Sequence, residues 1–257
     1  MENTKPTILV VNDDGIDAPG IRALIGVMKE IGNVVVVAPD GPQSGMGHAI
    51  TIAKPLRLDK VNLYPEVEMY KCSGTPVDCV KLAVNKVFQG KKPDLCVSGI
   101  NHGLNHSINI IYSGTMSAAV EGAIESIPSI GFSYDDYTYE ADFTKCLPYV
   151  KTIAKQVLEH GLSAGTLLNV NFPNSAKIKG VKICRQANAK YAEEFDERKD
   201  PNNRNYYWLT GFFQCNDLGE DTDVWALKNE YVSVVPVQFD LTAHYAIQQL
   251  NSWNLDI

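Results

Sequence analysis

The amino-acid sequence predicts a doubly wound α/β fold on a mostly parallel sheet, with a protruding C-terminal hairpin or arm. Three observations predict it. The runs TILVV (7–11) and VVVVA (34–38) are β-branched, apolar and of the length of strands buried on both faces. Segments with apolar residues at helical spacing alternate with such runs. Residues 185–220, rich in Asn, Asp, Glu, Tyr and Gly, break the alternation and are too long for an ordinary connection.

Each element has its own signal. After strand 7–11, a helix is expected over 19–31, opened by Pro19, closed by Gly32 and spaced by Ile21, Leu24, Ile25 and Met28. Strand 34–38 follows. Residues 49–59 alternate loosely and belong at a sheet edge, because Pro55 cannot donate to a central ladder. A strand over 67–72, a helix over 77–88 and a short strand over 95–97 come next, then a helix over 115–125 and a strand over 127–132. The pattern continues with a helix over 143–159 and a strand over 166–171. Beyond the arm lie a helix (221–229), a strand (231–235) and a last helix (242–253). With no repeat or linker, one domain over residues 1–257 is the economical division, the arm being an excursion.

Composition narrows the function classes. There are 23 Lys plus Arg against 30 Asp plus Glu, a net charge of −7, so general attraction to nucleic-acid polymers or anionic lipid is not expected. Any phosphate would have to be held locally, by backbone amides or a cation. The opening MENTKPTILVVNDDG lacks a basic start before a long apolar run, and the longest apolar runs are strand-sized; neither a secretion signal nor a membrane span is expected. Six scattered cysteines without a CxxC suit reduced core thiols and a cytoplasmic location.

In open α/β sheets ligands bind beyond the carboxyl ends of the strands, so the loops after strands are the places to search. Directly after TILVV stand Asn12, Asp13, Asp14 and Gly15. Two carboxylates about 4 Å apart repel by roughly 4 kcal/mol at an effective dielectric near 20, which a divalent cation would offset. The same residues also suit a helix cap and a solvated turn. The loop after VVVVA carries Ser44 next to Gly45, able to offer a hydroxyl to a metal or phosphate, or to its own backbone. Loop 98–105 (SGINHGLN) offers Asn101 and Asn105 as neutral oxygen ligands and amide donors. His102 and His106 have a zinc-like spacing, but Gly103 and Asn105 between them disfavour the helix it needs. Ser113, Gly114 and Thr115 precede a helix, where free amides and hydroxyls suit an oxyanion or form a plain cap. Together the loops supply oxygen ligands only, which favours Mg²⁺, Mn²⁺ or Ca²⁺ over zinc and points to phosphoryl chemistry.

At these residues the chain resembles the SurE survival-protein nucleotidases. The matching segments are ILVVNDDGIDAPGI (8–21), VVAPDGPQSGMGHAIT (36–51), CSGTPVDCVKLAV (72–84), VSGINHGLN (97–105), YSGTMSAAVEGA (112–123) and YVSVVPVQFDLTAH (231–244). The resemblance implies a Rossmann-like sheet and metal-dependent hydrolysis of nucleoside 5′-monophosphates, with 3′-monophosphates and short polyphosphate as further substrates. It implies one divalent cation per subunit, Mg²⁺ or Mn²⁺, held by Asp13, Asp14, Ser44 and Asn101, with Asp13 and Asp14 catalytic. It places Asn105, Ser113, Gly114 and Thr115 near the phosphate. It further implies a homodimer or homotetramer, to which the arm and the FDLTAH segment, with Asp240 and His244, would contribute. One departure stands out: a glycine and then acidic residues are expected after Asn105, where this chain has His106, Ser107, Ile108 and Asn109.

Two rivals also place acids after a first strand. A haloacid-dehalogenase-type phosphatase needs a nucleophilic Asp two residues before a second one, and with Asp14 as the second, Asn12 holds that place and cannot form an aspartyl-phosphate. A non-enzymatic phospho-receiver module needs an acceptor Asp ending its third strand, for which Asp59, beside Pro55 and Arg57, is a poor candidate.

Overall fold

In the computed structural model, which describes residues 5–255, β1 (Thr7–Val11) lies in the interior of a nine-stranded sheet. Its side chains alternate as the pleat requires: Ile8 and Val10 enter one apolar layer, Leu9 and Val11 the other. The segment has no polar face because neither side meets water. Helix α1 (Pro19–Lys29) leads to β2 (Asn33–Pro39), which pairs parallel with β1.

The edge excursion resolves into β3 (Leu58–Val61), antiparallel to β4 (Glu68–Cys72), so only the end of the 49–59 stretch is extended. Helix α2 (Pro76–Leu82) is shorter than expected. It starts at a capping box in which Thr75 and Asp78 exchange side-chain-to-backbone bonds, and it closes in a single π turn, Ala83–Val87. Strand β5 (Leu95–His102) runs well past the 95–97 expectation. Its second half contains Ser98, Gly99, Asn101 and His102, so apolar counting stops halfway along it.

Helix α3 (Gly114–Ile124) leads to β6 (Ser129–Tyr134), and α4 (Leu147–His160) to β7 (Thr166–Phe172). Strand β8 (Gly180–Ile183), absent from the sequence reading, forms the far edge. Helix α5 (Asp223–Lys228) precedes β13 (Tyr231–Gln238), and the chain ends with α6 (His244–Leu250), shorter than the 242–253 expectation.

The strand order is β3-β4-β2-β1-β5-β6-β7-β13-β8, and every pairing is parallel except β3 with β4 and β13 with β7. Helices α1 and α4 pack together on one face, and α2 and α3 on the other. The predicted excursion is a two-stranded arm. β9 (Ala189–Ala192) pairs antiparallel with β12 (Phe212–Cys215), and further out β10 (Phe195–Lys199) pairs with β11 (Asn205–Leu209). Because β1, β2 and β5 run parallel, their following loops open on one edge, and the arm folds back over it.

Candidate active site

Asp13 ends β1 almost fully buried, and Asp14 beside it is half-buried. Asp13 is fixed from two sides. The Thr115 hydroxyl donates a short hydrogen bond to Asp13 Oδ1, and Gly114 brings the start of α3 against it. A Cβ on Gly114 would lie 2.7 Å from Asp13 Cβ, so no other residue type allows this approach. Burial, and then the charge of Asp14, push the Asp13 carboxyl up to about 6. Burial also raises Asp14, opposed by the charge and the backbone amide of His102.

The loop after β2 is pinned to the same place: the Gln43 amide donates to the Asp13 carbonyl at 2.7 Å and the Gly47 amide to the Tyr112 carbonyl at 3.2 Å. That puts Ser44 on the wall of a cavity of about 580 Å³ shared with Asp13, Asp14 and Asn101. Asn101 sits where the register of β5 against β6 shifts. Its Oδ1 lies 3.3 Å from Thr115 Oγ1, which ties it to the Asp13 cluster. The four residues expected to hold a cation therefore face one space.

The phosphate-side residues divide by role. The Ser113 hydroxyl caps α3, accepting the Met116 amide at 3.0 Å. Thr115 spends its hydroxyl proton on Asp13, so it is a prop for that carboxylate. The Thr115 backbone amide also serves the Asp13 carboxyl, so both donors of this residue act on one carboxylate. Asn105 also lines the cavity and is held by residues that sequence reasoning missed. Its backbone amide donates to Asn171 Oδ1 and its side chain to Ser133 Oγ, both at 2.8 Å, while Asn169 Nδ2 donates to its carbonyl at 2.8 Å. A signal was available: Asn169 and Asn171 alternate in the otherwise apolar TLLNVNF, both facing one side at the carboxyl end.

The two histidines go separate ways. His102 Nδ1 donates to the Thr138 carbonyl at 2.8 Å, whereas the His106 ring packs on Phe213 at 4.8 Å. Asn12, at the dehalogenase nucleophile position, donates from Nδ2 to the Gly15 carbonyl at 2.7 Å and shapes the turn. Asp59 lies on the edge strand β3, at the sheet's outer limit and away from this cavity.

The departure after Asn105 has a local solution. Ser107 adopts a φ of +52°, the left-handed region that favours glycine. Its amide donates to Asp223 Oδ2 at 2.7 Å and its hydroxyl to the Ala187 carbonyl at 2.8 Å. Fully buried Asp223 also accepts the Ala187 amide at 3.0 Å, so one carboxylate joins the site loop to the base of the arm. The arm in turn lines the cavity through Tyr191, Glu194, Leu209 and Thr210.

A divalent cation fits this donor set. Asp14 Oδ2 and Asn12 Oδ1 are buried without hydrogen-bond partners, Asp13, Asp14, Ser44 and Asn101 offer oxygen, and His102 Nε2, likewise buried without a partner, lines the same cavity. Among the described residues lining the cavity there is no Lys or Arg. An anion can therefore enter beside two carboxylates only if positive charge comes from elsewhere.

Sheet, loops and donor set define a class: a doubly wound α/β protein with an oxygen-donor site at the carboxyl edge of its parallel strands. A sequence model of the family described as Survival protein SurE matches residues 8–193. The chain is 64% identical over 256 residues to a protein of Flavobacterium psychrophilum named 5′-nucleotidase SurE, covering 98% of this chain and 99% of that one. It is 62% identical to the Flavobacterium johnsoniae protein of the same name, covering both in full. A crystal structure of the SurE protein from Aquifex aeolicus superposes with a TM-score of 0.84 at 41% identity, covering 96% of this chain and 98% of that one. The chain belongs to the SurE family.

Proposed function

We propose that this protein is a phosphoric monoester hydrolase that releases phosphate from nucleoside 5′-monophosphates with one bound divalent cation, Mg²⁺ or Mn²⁺. Nucleoside 3′-monophosphates and short polyphosphate are further substrates under the same reading. One observation carries it: Asp13 and Asp14 crowd a cavity that has unpartnered buried oxygens and, among the described lining residues, no Lys or Arg. The names of the Flavobacterium relatives support the substrate class.

In this reading Asp13, Asp14, Ser44 and Asn101 hold the cation. When bound, it supplies Lewis-acid chemistry, drawing electron density from the phosphoryl group and offsetting charge that develops there. The chain does the rest. The Gly114 amide, the Ser113 hydroxyl and the Asn105 side chain orient the phosphoryl oxygens, while Thr115 acts through Asp13. Thr115 keeps Asp13 in one rotamer. Asp13 or Asp14 takes the proton of the attacking water as its oxygen bonds to phosphorus and the ester bond breaks.

We also propose that copies of the chain assemble as a homodimer or homotetramer through the arm and the C-terminal segment. Helix α6 buries none of its residues, and Leu241, Tyr245, Trp253 and Leu255 are exposed nearby. Six free cysteines support a cytoplasmic location. The direct test is phosphate release from a panel of nucleoside monophosphates with Mg²⁺, with Mn²⁺ and with EDTA. Cation-dependent release is expected from the 5′-monophosphates and is abolished in Asp14→Asn. Full activity in that variant, or in EDTA, refutes the assignment.

A further inference from the structure

The cavity is polar at one end only. Past Asp13, Asp14 and the start of α3, its wall becomes aromatic and apolar, and part of that wall is the arm. Tyr137 comes from the loop after β6. Its ring lies so close to Gly103 that a Cβ there would stand 2.3 Å from Tyr137 Cε1, and its hydroxyl accepts the Leu104 amide. Tyr191 comes from β9 of the arm, its ring edge-on to Phe213 at 5.8 Å. The two phenols are near enough for the charge of one to raise the other. Both keep open ring surface, Tyr137 being 75% exposed and Tyr191 37%.

Building on the nucleotidase reading, we propose that Tyr137 and Tyr191 form the nucleobase subsite, so that the arm of this chain confers the preference for nucleotides over other phosphate esters. In that reading a phosphate held by the cation of Asp13 and Asp14 and by the start of α3 at Ser113 directs the rest of its ester into the cavity. About 580 Å³ is ample for a nucleoside. Two aromatic rings with Leu104 and Leu209 beside them suit a base that offers a π face, and Glu194, the one charged side chain of the arm on this wall, is a hydrogen-bond acceptor for an exocyclic amine. Stacking of this kind tolerates every base. A second depression, of about 450 Å³ on the other side of His102, shares Tyr137 and Asp14 but is a worse fit, because it lacks Tyr191 and the arm and Asp17 and Asp40 add two carboxylates to its wall. The site loop and the arm keep their relation through Asp223, which accepts the amides of both Ser107 and Ala187.

The test is the ratio of kcat/KM for adenosine 5′-monophosphate to kcat/KM for ribose 5-phosphate, the same ester without its base. Tyr191→Ala and Tyr137→Ala are each expected to lower that ratio about tenfold, in line with the loss of one stacked ring. Tyr191→Phe should retain it, and Tyr139→Ala, facing the second depression, should leave it alone. An unchanged ratio in both alanine variants overturns the proposal, as does an equal fall in Tyr139→Ala. In the unmodified protein, the nucleotide but not ribose 5-phosphate should protect Tyr137 and Tyr191 from nitration, a readout that does not depend on a variant folding. Absence of that protection counts against the subsite. Release of phosphate from neither ester would overturn the nucleotidase reading itself, and the subsite with it.

Discussion

Asp13 shows how one residue can be costly to the fold and useful to the site. Its carboxyl is held at about 6 against an ordinary value of 3.8, so the folded chain keeps a proton that the unfolded chain gives up. Stability from this group is complete below pH 4 and is lost as the pH rises through 6, by on the order of 3 kcal/mol. Without a cation, thermal melts of Asp13→Asn at pH 7.5 should therefore lie a few degrees above the parent, with phosphate release abolished. An equal or lower melting temperature would show that the buried charge is already compensated. In the proposed site the same value also governs cation affinity. At pH 5 about one carboxyl in ten is ionised, so Mn²⁺ titrations should give affinity roughly tenfold weaker than at pH 7.5. The NDDG turn made these two acids legible in the sequence. The partner of Asp13 was not, since Thr115 reads equally well as a helix cap until the fold brings residues 13 and 115 together.

At the scale of elements, helix α3 organises the site from below. Nine of its eleven residues are buried, among them Glu121, which accepts Lys81 Nζ at 2.5 Å from α2 and bonds His48 Nε2 at 3.0 Å from the Ser44 loop. One carboxylate thus ties two helices and a loop. Lys81→Met should destabilise the protein by about 2 kcal/mol in chemical denaturation, below the usual cost of breaking a buried pair because Lys81 is partly solvated. Glu121→Gln should cost less, because an amide left there carries no uncompensated charge. Equal losses in the two variants would assign the effect to packing. Strand and helix types were legible here wherever apolar periodicity ran unbroken, as in β1, β2 and α1. The reading fell short at β5, whose last residues, Gly99 to His102, trade apolar character for chemistry. It also fell short at α2, where the helical pattern of 77–88 continues through a π turn that periodicity cannot distinguish.

Over the whole molecule, the arm and the C-terminal segment are where one chain leaves its own surface unfinished. Tyr207, Trp208, Ile247 and Leu250 are all exposed, an apolar display that the proposed assembly would cover. Ile247→Glu with Leu250→Glu should shift sedimentation from an oligomer to a single-chain mass, and an unchanged profile would remove α6 from the interface. The sequence marked residues 185–220 as an excursion by composition alone, yet could not show that the excursion folds back over the carboxyl edge. That depends on contacts such as Asp223 to Ser107, 116 residues apart. In the proposed site three separate segments, after β1, after β2 and at the end of β5, meet around one cation, and anomalous diffraction from Mn²⁺-soaked crystals reads this out. A single strong peak is expected within ligand distance of Asp13, Asp14, Ser44 and Asn101; a map with no peak there, or with manganese bound only elsewhere, rules the site out.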